Sequence, residues 1–150
     1  MPTHFKGNEE QVLALDTFIK LMRCSNSVNA RMSKSLDKAN LTISQFGVLE
    51  ALLHLGPLCL TELANKLLKT GGNLTLVVSN LEKQKLVQRR QLGDDRRYVT
   101  VELTAKGRTL ISKVFRKHAI AIREAMKGLQ PTEQKELGRL CRKLGLSISS

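Results

Sequence analysis

Between residues 70 and 97 the chain collects side chains suited to an anionic, hydrogen-bonding surface. Thr70, Asn73, Thr75, Ser79 and Asn80 carry short hydroxyls and amides, Lys83 adds a point charge, and Asp94-Asp95-Arg96-Arg97 sets two guanidiniums beside two carboxylates. Amides and hydroxyls can meet base edges, lysine meets a phosphate as a charge, and arginine forks onto either. Leu76 sits among them and offers only an apolar contact, for example with a thymine methyl. Such groups work only if a rigid element presents them together.

The surrounding pattern supplies that element. Thr61 to Leu68 reads as a short helix, Lys69 to Asn73 as a tight polar break through Thr70-Gly71-Gly72, and Leu74 to Leu86 as a second helix. Leu74, Val77, Val78 and Leu81 recur at the spacing of one buried helical face, which turns Asn73, Thr75, Leu76, Ser79, Asn80 and Lys83 outward. Val87 to Gln91 and Tyr98 to Thr104 then read as two strands joined across Leu92-Gly93-Asp94-Asp95, the second alternating and rich in β-branched residues. Helix, turn, helix and basic hairpin is the layout of a winged helix-turn-helix, whose second helix enters the DNA major groove.

The ordered motifs Gly56-Pro57-Leu58, Thr61-Glu62-Leu63-Ala64, Thr75, Val77-Val78, Leu81-Glu82-Lys83, Leu86-Val87, Asp95-Arg96-Arg97 and Leu103-Thr104-x-x-Gly107 resemble the MarR family of bacterial transcription regulators over about residues 40 to 110. The resemblance implies that Arg97 enters a minor groove with Asp95 orienting it, Arg96 serving a phosphate or packing on the sheet. A guanidinium pre-organised by a carboxylate suits the concentrated negative potential of a narrow groove. Two positions depart from the family pattern. Leu76 stands where an arginine is usual, and Lys85 where a glycine commonly ends the recognition helix; a left-handed backbone there would cost a lysine roughly 1 kcal/mol.

The formal charge of +12 fits an anionic partner, but its distribution does not point at the reading head. Residues 1–58 hold 6 Lys/Arg against 5 Asp/Glu, residues 59–104 hold 8 against 5, and residues 105–150 hold 11 against 3. Motif order, not charge, argues for DNA. One tyrosine, four phenylalanines and no tryptophan make the core aliphatic and leave no stacking platform for a general nucleic-acid coat. No nucleophile–base constellation, phosphate loop or metal motif points to an enzyme, and no cofactor is implied. No apolar run spans a bilayer and the first residues lack a signal-peptide core, so a cytoplasmic location without membrane attachment is expected.

The expected fold is mainly α with a small β-hairpin wing: one domain, with a winged helix-turn-helix over about 41–104 and dimerisation helices over about 8–38 and 105–146. Val12, Leu15, Phe18, Ile19, Met22, Val28, Met32 and Leu36 mark the first helix, too long for one small winged domain to cover. Thr42 caps a core helix closed by Gly56-Pro57. Thr104 caps another, running to about Lys127 and closed by Gly128. Pro131 opens a last helix with Leu137, Leu140, Cys141 and Leu144 as its buried side.

His4, His54 and His118 are far apart in sequence and read as structural or surface groups. Cys24, Cys59 and Cys141 match neither a disulfide framework nor a zinc site. Cys59, where a helix-capping residue is usual, could be activated by the free amides of a helix N-terminus. The family's sensing cysteine lies nearer the start of the first helix than Cys24, and burial favours inert thiols at all three positions. The resemblance implies a homodimeric regulator, a repressor on a pseudo-palindromic operator with half-sites about 34 Å apart, released by a small lipophilic or phenolic effector. The alternative is a redox or electrophile sensor of the same fold, acting through Cys59 or Cys24.

Overall fold

The computed structural model describes residues 2–67, 71–91, 93–95 and 98–149, with backbone alone at Gly71 and Gly72. Thr70, Arg96 and Arg97 lie outside the described residues. The order is α1 Glu9–Asp37, α2 Ile43–Leu55, β1 Leu58–Cys59, α3 Leu60–Leu67, α4 Gly71–Lys83, β2 Val87–Gln91, β3 Val99–Leu103, α5 Ala105–Met126 and α6 Pro131–Ser149.

Local sequence accounts for most boundaries. Asn8 and Gln11 form a reciprocal capping box at the start of α1, and Thr42 and Gln45 do the same for α2, each satisfying amides that have no partner within the helix. At the end of α4, Leu86 N–H donates to the Leu81 carbonyl at 3.0 Å and Lys85 N–H to that of Glu82 at 2.9 Å. This is a Schellman turn with Lys85 as its left-handed residue, at φ +60°. Buried Leu81 and Leu86 supply the apolar contact that usually accompanies it. The same turn closes α1, with Asn40 at φ +56° between Leu36 and Leu41.

Elsewhere the structure departs from the sequence expectation: α4, expected to run to Leu86, ends at Lys83 where the Schellman turn begins. The break expected over Lys69 to Asn73 is shorter, because Gly71, Gly72 and Asn73 already belong to α4. Glycine disfavours a helix by about 1 kcal/mol, but burial of Leu74, Val78 and Leu81 outweighs it. The sheet also has a third strand. β1 pairs antiparallel with β3 through Leu58↔Val101 and Cys59↔Thr100, giving the order β1-β3-β2, with Val87↔Leu103 to Gln91↔Val99 in the hairpin.

The core gathers Phe46, Val48, Leu49 and Leu52 of α2, Leu63, Leu74, Val78 and Leu81 of the helix-turn-helix, Val87 and Val101 of the sheet, and Ile111 and Val114 of α5. In α1 only Met32 and Leu36 are buried; Leu13 and Phe18 are 69% and 56% exposed. The side expected to be buried in α6 is open: Leu140 and Leu144 are each 47% exposed, Leu137 is at 36%, and Cys141 is exposed. That apolar stripe has the right period and finds no surface within its own chain. Among the described residues no helix is long and apolar enough to cross a membrane.

Candidate nucleic-acid interface

Helix α4 is clamped by its inner face and faces solvent along its outer one. Leu74, Val78 and Leu81 are almost fully buried, whereas Asn73, Thr75 and Lys83 are exposed and Leu76 is 64% exposed. Ser79 and Asn80 lie at the margin, half-buried. Leu76 thus puts an apolar side chain on a surface otherwise made of hydrogen-bonding groups, where it can meet a thymine methyl and cannot fork onto guanine.

The sheet contributes a residue that sequence reasoning did not single out. Arg89 of β2 donates through Nη2 to Ser79 Oγ at 3.2 Å, and its Nε lies 3.7 Å from Glu82 Oε2. It ties the first wing strand to the outer margin of α4 and occupies the Ser79 hydroxyl. The signal in sequence was faint: the two-residue period of β2 sets Arg89 on the same side as buried Val87. On the other side Glu102 accepts from Gln88 Nε2 at 2.7 Å and faces Arg90 Nε at 3.5 Å. At the hairpin tip Gly93 takes φ +69°, and the Asp95 carbonyl accepts from Tyr98 N–H at 3.1 Å.

The far end of α4 is welded to α5. Thr104 N–H donates to the Leu86 carbonyl at 3.1 Å, and its hydroxyl lies 2.7 Å from the Lys85 carbonyl while accepting from Gly107 N–H at 3.0 Å. A β-carbon at Gly107 would sit 1.9 Å from the Leu86 carbonyl oxygen, so only glycine permits this approach.

Cys59 ends β1 directly before α3, and its amide donates to Glu62 Oε2 at 2.8 Å. That amide first, and the thiol second, hold the Glu62 carboxyl below its ordinary value. A carboxylate therefore stands beside the thiol, the opposite of the electropositive setting that activates cysteine. Cys59 is half-buried, and Cys24 and Cys141 are exposed on the single chain rather than buried as expected, because both lie on helix faces the chain does not cover.

Behind the reading head, α2 and α5 bring together histidines that sequence distance had separated. The His118 ring lies 4.4 Å from that of Phe46 and 6.1 Å from Phe115, while His54 meets Phe115 edge-on at 4.6 Å. His54 Nδ1 is 3.0 Å from the Glu50 carbonyl. His118 Nδ1 is buried with no hydrogen-bond partner among the described residues. No three His, Cys, Asp or Glu among the described residues gather as a metal site.

Three-stranded sheet, helix-turn-helix and flanking helices define a winged-helix transcriptional regulator. The family model of the SarA/Rot transcriptional regulators matches residues 31–114. The chain is 34% identical over 134 residues to the HTH-type transcriptional regulator MhqR of Bacillus subtilis strain 168, covering 89% of this chain and 92% of that one. It superposes with a TM-score of 0.79 on BpsR of Bordetella bronchiseptica, a protein whose DNA binding is regulated by 6-hydroxynicotinic acid, at 26% identity over 86% of this chain and 98% of that one. With AbsC, a MarR family transcriptional regulator from Streptomyces coelicolor, it shares the fold at a TM-score of 0.84 and 20% identity over 98% and 99% of the two chains. The chain belongs to the MarR family of winged-helix transcriptional regulators. Its relatives are regulators, not enzymes.

Proposed function

We propose that the protein is a cytoplasmic, homodimeric repressor that binds a pseudo-palindromic operator and is released by a small lipophilic or phenolic effector. The observation that carries the DNA reading is the two-sidedness of α4, whose inner face is locked into the core while Asn73, Thr75, Leu76 and Lys83 face outward. The open apolar faces of α1 and α6 favour a second copy as partner, which would set two recognition helices about one DNA turn apart. The effector reading draws on BpsR and on the imidazole–aromatic cluster between α2 and α5, where the unpartnered His118 Nδ1 suits a phenol hydroxyl or a carboxylate.

The experiment is a footprint on the DNA upstream of its own gene, followed by anisotropy titrations on that operator. Arg97→Ala should weaken operator binding by about 1 to 3 kcal/mol with the fold intact, and Lys83→Ala should weaken all DNA alike and lower the salt slope by about one contact. Unchanged affinity in both variants overturns the DNA reading. His118→Phe should abolish release by phenolic compounds while leaving operator binding intact. Thiol control is the rival, favoured only by the exposure of Cys24 and opposed at Cys59 by the adjacent Glu62 carboxylate. If peroxide or a quinone releases the wild type and a cysteine-free protein ignores it, thiol control replaces ligand release.

A further inference from the structure

The strongest unexplained charge lies away from the reading head, in a cavity of about 690 Å³ between the end of α1 and the first half of α5. Its walls are Lys34 and Lys38 on one helix and Lys113 and Lys117 on the other, each pair one helical turn apart, and its floor includes Leu110 and Val114. Among the described residues no carboxylate lies within ion-pairing distance of any of the four ammonium groups. Cations near a helix C-terminus are favoured by the helix dipole, which accounts for Lys34 and Lys38. It does not account for Lys113 and Lys117, which stand in the middle of a 22-residue helix and repel the first pair across the gap. Lysine stems lie along apolar surface while their ammoniums stay at the rim, so the cavity is apolar below and cationic above. Its size is that of a small-molecule site. It also belongs to another part of the molecule than the recognition surface: α1 and α5 pack on each other and on α2, whereas α4 packs on α2, α3 and β2.

From this arrangement we infer that the groove between α1 and α5 binds a small molecule with an apolar body and two or more negative charges, such as an aryl phosphate or an aromatic dicarboxylate. Four ammoniums on two walls are more than a single carboxylate can neutralise. Leu110 and Val114 give the body of the ligand a surface that a bare inorganic ion would not use. The site is distinct from the imidazole–aromatic cluster and stands whether or not that cluster takes an effector.

Calorimetric titration of the full-length protein with phenyl phosphate, phthalate, inorganic phosphate and benzyl alcohol tests it, alongside Lys34→Gln/Lys38→Gln and Lys113→Gln/Lys117→Gln. All four lysines are exposed, so both double variants should keep the wild-type circular dichroism spectrum. Phenyl phosphate and phthalate should bind the wild type at least tenfold more tightly than either inorganic phosphate or benzyl alcohol. Each double variant should lose at least tenfold of that affinity, whereas His118→Phe should lose none. Equal binding of inorganic and phenyl phosphate overturns the amphipathic ligand class. Undiminished binding in both lysine variants overturns the site. If no small anion binds and both variants instead lose affinity for DNA of any sequence, the groove is a phosphate-backbone contact and the inference is wrong.

Discussion

The winged core and the terminal helices are built from the same kind of amphipathic stripe and end in opposite conditions. In the core, α2, α3, α4 and the sheet close on one another until Val48, Leu49, Leu63, Val78 and Leu81 have no measurable surface. In the first two-thirds of α1 and along α6, residues at equally regular spacing stay half-covered or open, Phe18 at 56% and Leu144 at 47% among them. A stripe read from sequence therefore specifies a face suited to burial, not what covers it. The core satisfies that demand internally, and the terminal helices carry it outward.

That contrast can be broken or sharpened by substitution, and the largest effect belongs to the open side. Placing charge in the α6 stripe with Leu140→Asp and Leu144→Asp should leave the winged core folded, since neither side chain belongs to it, yet halve the mass seen by light scattering and lower operator affinity more than a hundredfold. A dimeric mass at micromolar concentration in that variant would remove α6 from the proposed interface. Within the core, Gly107→Ala drives a methyl group into the Leu86 carbonyl and should cost about 3 kcal/mol in urea denaturation, at the upper end of ordinary overpacking. By contrast Gly138→Ala, in the open space of α6, should leave monomer stability unchanged or slightly higher.

A smaller gain is expected at the Schellman turn. Lys85→Gly relieves a left-handed backbone at φ +60° and should raise stability by about 1 kcal/mol; no rise would mean that the lysine side chain compensates for the strain. The smallest effect is acidic. Glu62 has its carboxyl lowered from an ordinary 4.5 by the Cys59 amide and thiol, so its support for the start of α3 is full above that value and is lost as pH falls through the lowered one. Hydrogen exchange at the Cys59 amide should accelerate, relative to its neighbours, as pH falls below the ordinary carboxylate range, and Glu62→Gln should flatten that dependence.

Much of this architecture is written in local signals. Thr42 with Gln45 and Thr104 before Gly107 mark helix starts because caps act within one turn, and Leu74, Val77, Val78 and Leu81 mark the inner face of α4 because burial follows the helical period. The parts that escaped sequence are those decided over distance. A two-residue strand such as Leu58–Cys59 has no period to read and exists only because β3 offers it an edge. Arg89 acquires its role from Ser79 and Glu82, ten and seven positions earlier, across a strand–helix contact. His54 and His118 share Phe115 only once α2 lies against α5.

The joint between Thr104, Gly107 and the end of α4 makes α5 a lever. Its pivot is the point where Gly107 touches the Leu86 carbonyl, and its arm reaches to Met126, roughly 30 Å away at the rise of an α-helix. Because the Lys85 and Leu86 carbonyls are both engaged by Thr104, the short arm of that lever is α4 itself. The two carbonyls just past the end of α4 therefore also anchor the start of α5, so the two helices share one fixed joint.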